Sequence, residues 1–219
     1  MNEQEFLKLS SDLRLLAKKI PLHWGSIQND KTDSYFDMFK IMNYADLEMS
    51  THNMTTKDRD YWLRRWYIWQ CSRCDEYLFY CNTNAFKNPN VYDKSWDVSF
   101  SNKISFDIKG TVIPKSMRCE AYECINDPKQ IVDFYYNNQS RGVRYDIQNR
   151  LFIVHHSFVD EEREFYLRCA WRSKQKIFKE FIDNIEKISF FKTHNVIAGV
   201  IFILEKQPNV VDYKICGLS

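Results

Sequence analysis

Apolar and polar side chains alternate between residues 96 and 109, and this pattern restricts the fold more than any other in the chain. The apolar members are Trp96, Val98, Phe100, Ile104, Phe106 and Ile108. The two alternating runs are separated by Ser101, Asn102 and Lys103, which are residue types that favour a turn. Because successive side chains of a strand point to opposite faces, the pattern predicts a β-hairpin with one apolar and one polar face.

Helical patterns surround this hairpin. Apolar residues at three- and four-residue spacing predict helices over residues 3–19, 34–48, 56–80, 128–148 and 161–187. Short apolar runs predict buried strands over residues 151–154 and 196–204, while residues 22–33 and 82–92 read as loops. The order predicts a mixed α/β fold, with a central mixed sheet flanked by helices. We expect an N-terminal helical region over residues 1–55 and an α/β core over residues 56–219, within one compact domain.

Composition and charge exclude several classes of protein. Hydrophobic residues make up 44% of the 219 residues, which is enough for a sizeable core and too many for a disordered chain. The net charge of +2, from 31 basic and 29 acidic residues, is too small to hold the chain on nucleic acid by charge alone. Any nucleic-acid surface is therefore expected to be a local patch.

The N-terminal residues and the longest apolar run bear on localisation. The first residues lack the basic and apolar regions of a signal peptide, and the run over residues 196–204 is far shorter than the ~20 residues of a membrane span. We therefore expect a cytoplasmic protein whose 7 cysteines are thiols.

Three charged residues share the polar face of the predicted hairpin. Asp97 belongs to its first strand, and Asp107 and Lys109 belong to its second. Two neighbouring carboxylates form an oxygen-rich site that suits Mg²⁺ or Mn²⁺, and such an ion lowers the pKa of a bound water. A lysine beside them can stabilise developing negative charge. The alternative is a solvated hairpin face with a cross-strand ion pair, worth about 0.2–1 kcal/mol.

The segment from Asp97 through the hairpin to Asp107, Ile108 and Lys109 resembles the PD-(D/E)xK nuclease superfamily. The predicted helix and strand that follow are in the order of that family's core. The resemblance covers residues 58–156 and implies a restriction-endonuclease-like fold with Mg²⁺-dependent nuclease activity on DNA. It assigns the metal-binding acids to Asp97 and Asp107 and the catalytic lysine to Lys109. The family's proline is absent, because Ser95 and Trp96 precede Asp97.

The resemblance also implies further site residues. Many family members add a glutamate to the metal site from a helix before the hairpin, and both Glu76 and Glu48 are candidates here. Residues of the helix after the hairpin contact DNA in several members, and Gln139, Arg141 and Arg144 occupy that region. Restriction-type enzymes are commonly dimeric, so the resemblance leaves a homodimer open.

Two functions follow as expectations. The first is a metal-dependent nuclease that hydrolyses DNA phosphodiester bonds, of the restriction or defence type. The second is a non-enzymatic interaction or regulatory protein that binds a partner through an aromatic surface, because aromatic residues make up 16% of the chain.

Overall fold

The structure, a computed structural model, describes residues 1–19, 37–90, 92–93, 95–101, 104–138, 148–193 and 195–218. The chain divides into two compact units, Met1–Cys74 and Asp75–Ser219. The observed division falls inside the long helix Thr56–Tyr80, whereas the predicted division after residue 55 lies just before that helix. None of the described helices combines the length and the apolar character that crossing a membrane requires.

The first unit is helical. Helix α1 spans Glu3–Leu16, a short 3-10 helix spans Met38–Lys40, α2 spans Tyr44–Thr51, and α3 begins at Thr56. Helix α1 starts with a capping box, in which Asn2 and Glu5 bond each other's backbone N–H groups. Each of the two longer helices has one buried apolar face. On α1 it includes Phe6, Leu9, Leu13 and Leu16, and on α3 it includes Trp62 and Trp66.

The second unit is built on a mixed sheet. It contains the end of α3 at Tyr80, α4 (Ala121–Asn126), α5 (Lys129–Asn138), α6 (Arg163–Arg168) and α7 (Trp171–Asp183). Its strands are β1 (Ala85–Lys87), β2 (Val98–Phe100), β3 (Ile104–Val112), β4 (Arg150–Ser157), β5 (Phe191–Thr193), β6 (Val196–Gln207) and β7 (Val210–Ile215). They are ordered β1-β2-β3-β4-β6-β5, and β7 also pairs with β6. Strands β3, β4 and β6 run parallel at the centre, while the outer pairings are antiparallel.

Apolar side chains cover both faces of this sheet. On one face Phe79 of α3 stacks on Phe178 of α7 at 4.0 Å, and both belong to an aromatic cluster with Phe100 and Phe181. The buried cluster on the other face combines residues of α4 and α5 with Phe152, Val154, Val200 and Phe202 of the central strands. Parallel strands need cover on both faces, and all eight residues of β4 are accordingly buried.

The mixed α/β class and the predicted hairpin are confirmed. The hairpin pairs Val98 with Phe106 and Phe100 with Ile104, and its residues 102 and 103 lie outside the described part of the chain. The helix predicted over residues 56–80 is also confirmed. Thr55 caps its N-terminus, because its hydroxyl accepts the N–H of Asp58 at 3.2 Å.

Other predicted elements were wrong in length or number. The single helix predicted over residues 161–187 is interrupted at Cys169 and Ala170, so α6 and α7 are separate, and a 3-10 turn follows at Ile185–Lys187. Strand β1 lies inside the predicted loop over residues 82–92. Strands β5 and β7 and helix α4 were not predicted, because each is too short or too polar to show a clear apolar period.

Candidate active site

The hairpin and the first parallel strand pair bring the predicted acids together. Asp107 lies on β3 and is paired in register with Arg150, the first residue of β4. Asp97 immediately precedes β2, and its N–H donates to the carbonyl of Phe106 at 2.9 Å. Ile108 N–H donates to Asp97 Oδ2 at 2.7 Å. The backbone on either side of Asp107 therefore holds Asp97 beside it.

The two carboxyl groups interact directly. Burial, followed by the negative charge of Asp107, raises the pKa of Asp97 to about 6, against the lowering effects of the Ile108 N–H and of Lys109. The groups are close enough to hydrogen-bond to each other when one of them is protonated. Two carboxyls with this relation either share a proton or bind a cation between them.

Asp107 is a buried acid with one satisfied oxygen. Its side chain is only 4% exposed, and its Oδ1 accepts from Lys109 Nζ at 2.5 Å. Its Oδ2 has no hydrogen-bond partner among the described residues. Lys109 is 30% exposed and lies at the solvent side of the pair. On the polar face predicted for the hairpin, the side chain of Asp107 is therefore buried and does not belong to a solvated surface.

Arg150 supplies a second cation, which the sequence analysis did not assign to the site. Its side chain is 5% exposed, and its Nε lies 3.5 Å from Asp107 Oδ2. Its guanidinium stands over the ring of Tyr136 on α5, 5.1 Å from the ring centroid. Tyr136 donates to the carbonyl of Gln148 at 2.7 Å, and burial together with the charge of Asp107 raises its pKa to about 12 although Arg150 lowers it. The described part of the site therefore contains two acids, Asp97 and Asp107, and two cationic side chains, Lys109 and Arg150.

The signal that could have identified Arg150 was weak. A charged residue directly before an apolar strand is common, and its proximity to Asp107 depends on the parallel register of β3 and β4. No local pattern encodes that register, because residues 107 and 150 are joined by a crossover through α4 and α5.

The two candidate glutamates have different surroundings. Glu76 lies half-buried on the last part of α3, next to Asp75. Glu48 belongs to the first unit, where its Oε1 accepts from Tyr44 at 2.6 Å and lies 3.8 Å from Arg59. Within the described ranges, no three or more His, Cys, Asp or Glu side chains are grouped so that they could hold a metal ion. Among the described residues, Asp97 and Asp107 are thus brought together without a third acid.

Gln139, Arg141 and Arg144 lie outside the described residues. Their proposed contact with DNA stays a prediction. The described chain resumes at Gln148 and leads through Asn149 into β4, where Asn149 accepts the N–H of Ile197 at 2.8 Å and its carbonyl accepts the N–H of Asp107 at 2.9 Å.

Comparison of the chain with protein families, curated proteins and solved structures gave no match. The chemistry of the site therefore rests on its own residues.

Proposed function

We propose that this protein is a metal-dependent nuclease that hydrolyses DNA phosphodiester bonds. The observation that carries the proposal is the contact of the half-buried Asp97 with the buried Asp107, one of whose oxygens is bound by Lys109. Desolvation and mutual repulsion both oppose placing Asp97 against a buried Asp107, and an ordinary surface ion pair does not require that arrangement. Such an arrangement is more typical of a functional site.

A divalent cation fits the chemistry of the acid pair. Asp97 and Asp107 offer hard oxygen ligands, and the buried Oδ2 of Asp107 has no hydrogen-bond donor among the described residues. Bound there, Mg²⁺ or Mn²⁺ would neutralise charge on a phosphodiester and lower the pKa of a bound water. With only two acids from the described chain, the remaining ligands would be waters and substrate oxygens, as Mg²⁺ sites commonly have.

Lys109 has the position needed for an auxiliary cation. Its Nζ is held by Asp107 Oδ1, yet its side chain remains partly open to solvent. From there it would stabilise the negative charge that develops on the phosphate during attack by water. Asp107 thus has two roles, since one oxygen orients Lys109 while the other faces Arg150.

The order of elements supports the proposed relation to the PD-(D/E)xK nucleases. An acid precedes β2, the Asp107-to-Lys109 triplet lies on β3, and a helix crossover leads to β4, which is parallel to β3. We further propose a restriction or defence role in the cytoplasm, carried out by a homodimer, and the role and the homodimer rest on the proposed relation alone.

The direct test is cleavage of labelled duplex and single-stranded DNA by the purified protein with Mg²⁺ or Mn²⁺. We expect cleavage that EDTA abolishes, and Asp107→Asn and Lys109→Met are each expected to reduce the rate by ~100-fold or more. A matched control is the surface pair Lys129–Asp133 on α5, also 2.5 Å apart, whose variants Asp133→Asn and Lys129→Met should cleave normally.

The outcomes separate the nuclease from the interaction protein. Cleavage that persists in Asp107→Asn means that the activity belongs to another site or to a contaminant. A protein that neither cleaves DNA nor responds to metal favours the interaction protein. For that alternative the exposed Tyr92, Tyr122 and Tyr166 could contribute to an aromatic surface, whereas Trp62, Trp66 and Trp171 are buried.

A further inference from the structure

Arg150 is the least expected member of the acid-pair site. A guanidinium that is almost fully buried is uncommon, because removing a charge from water is costly unless it is paired. The pairing here is with Asp107, 3.5 Å away, and the apolar side of the guanidinium rests on Tyr136. Tyr136 is itself fixed by its bond to the Gln148 carbonyl. Arg150 is therefore held from both sides at one position.

We propose that Arg150 is a positioning residue, which orients Asp107 and, as the built-in counter-charge of the acid pair, sets how tightly that pair binds a divalent cation. The proposal rests on the nuclease function proposed above only for its cleavage readout. It concerns the affinity for the cation, a property that can be measured without any substrate.

The orienting role follows from the geometry of the three residues. Lys109 holds one oxygen of Asp107, and Arg150 faces the other. With a cation on each side, the carboxylate has little freedom to rotate, and Asp97 remains beside it through the Ile108 N–H. Loss of Arg150 would remove the positive charge beside Oδ2, so that the carboxylate would be oriented for reaction from the Lys109 side alone.

The effect on cation affinity follows from charge. Asp97 and Asp107 are balanced by Lys109 and Arg150, so an incoming divalent ion meets a site with no formal excess of negative charge. Arg150 is buried beside Asp107, where solvent screens its repulsion of another cation poorly. Lys109 is more exposed, so solvent screens its repulsion better.

Arg150 does not contact substrate in this arrangement. Its side chain is closed off from solvent, and its guanidinium lies between Asp107 and the Tyr136 ring. Its action therefore passes through Asp107. This distinguishes it from Lys109, whose side chain is partly open to solvent.

The test compares Mn²⁺ affinity and DNA cleavage in Arg150→Met, with affinity taken from isothermal titration and from the melting temperature as a function of Mn²⁺ concentration. We expect Arg150→Met to bind Mn²⁺ roughly tenfold more tightly than the parent, because the repelling charge is gone. We expect it to cleave DNA ~100-fold more slowly, because Asp107 is no longer oriented. A role in folding alone predicts that affinity and cleavage decline together, and that result overturns the proposal.

Two variants complete the design. Arg118→Met removes a guanidinium that is paired with Glu164 at 2.7 Å and not with the acid pair, and its Mn²⁺ affinity should stay within about twofold of the parent. Arg150→Lys keeps the charge but not the planar group that stacks on Tyr136. It should bind Mn²⁺ like the parent and cleave at least ~10-fold more slowly. If Arg150→Met does not fold, Arg150→Lys decides, and parent-like cleavage by it overturns the proposal.

The two proposals fail separately. If the parent cleaves DNA but Arg150→Met binds Mn²⁺ no more tightly, the assignment of Arg150 is wrong and the nuclease stands. If no variant cleaves DNA but Arg150→Met binds Mn²⁺ more tightly, Arg150 is the counter-charge of a cation site with another function. If the parent and Arg150→Met both fail to bind Mn²⁺ at millimolar concentration, the metal site and the assignment of Arg150 are both rejected.

Discussion

Asp97 should make the stability of the protein depend on pH in the mildly acidic range. The pKa of Asp97 is about 6 in the folded protein, above the value of about 3.9 in an unfolded chain, because the carboxyl is buried beside Asp107. A raised folded pKa stabilises the protein while the group is protonated. This contribution is therefore complete below pH ~4 and is lost as the pH rises through ~6, by up to ~3 kcal/mol.

The prediction is read from the difference between the parent and Asp97→Asn. Urea unfolding at pH values from 3 to 8 should show the parent losing stability relative to Asp97→Asn as the pH rises from ~4 to ~6, with little further change above ~6.5. His155 has the opposite effect, since burial lowers its pKa and its contribution is lost as the pH falls below ~6.5. It is present in both proteins and cancels in the difference. A difference that does not vary with pH would contradict the prediction.

Lys174 should be among the most sensitive residues of the second unit. Its Nζ lies 2.8 and 3.0 Å from the two oxygens of Asp75 and donates to the Arg168 carbonyl at 3.0 Å, and neither member of the pair is exposed to solvent. Lys174→Met leaves Asp75 buried without its cation, so we expect a loss of ~3–5 kcal/mol in the free energy of unfolding.

A double variant and a surface control test this interpretation. Adding Asp75→Asn to Lys174→Met removes the unpaired charge and should recover part of the loss. Lys179→Met removes a lysine from the same helix, where it forms an exposed pair with Asp183, and should cost less than ~1 kcal/mol. Equal losses in Lys174→Met and Lys179→Met would mean that the buried pair contributes little.

At the scale of the elements, the absence of a side chain at Gly199 allows Leu151 and Phe190 to pack closely against β6. A Cβ at this position would lie 2.8 Å from Leu151 Cδ1 on β4 and 3.3 Å from Phe190 Cε1. We therefore expect Gly199→Ala to cost ~1–3 kcal/mol, seen as a lower urea midpoint at unchanged slope. Leu151→Val in the same protein shortens the obstructing side chain and should recover part of that loss. An unchanged midpoint in Gly199→Ala would show that Leu151 moves aside freely.

The elements also show which local patterns can be read from sequence. The hairpin and the helix Thr56–Tyr80 were predictable because their apolar periods persist over many residues. The break between α6 and α7 was not, since residues 161–187 keep a helical period across Cys169 and Ala170 while the backbone turns so that Lys174 reaches Asp75. The tertiary contact overrides the local pattern there.

At the scale of the whole molecule, a bound cation should stabilise the folded chain. Mn²⁺ that binds the folded acid pair and not the unfolded chain raises the melting temperature by mass action, with a gain of ~2.7 kcal/mol at one hundred times the dissociation constant. We expect this increase in the parent and its loss in Asp107→Asn. Asp133→Asn, which alters an exposed acid of α5, should respond like the parent. A shift of equal size in Asp107→Asn would assign the cation to another part of the chain.

The sequence by itself determined the mixed α/β class, the hairpin and the sharing of one face by Asp97, Asp107 and Lys109. These depend on local periodicity, which has a direct physical link to strand and helix geometry. Only the tertiary structure decided that this face is covered, that Asp107 is buried, and that Arg150 and Tyr136 complete the surroundings of the acid pair. Burial and register arise from pairing between distant segments, and a solvated ion pair and a buried acid pair can therefore share the same local sequence.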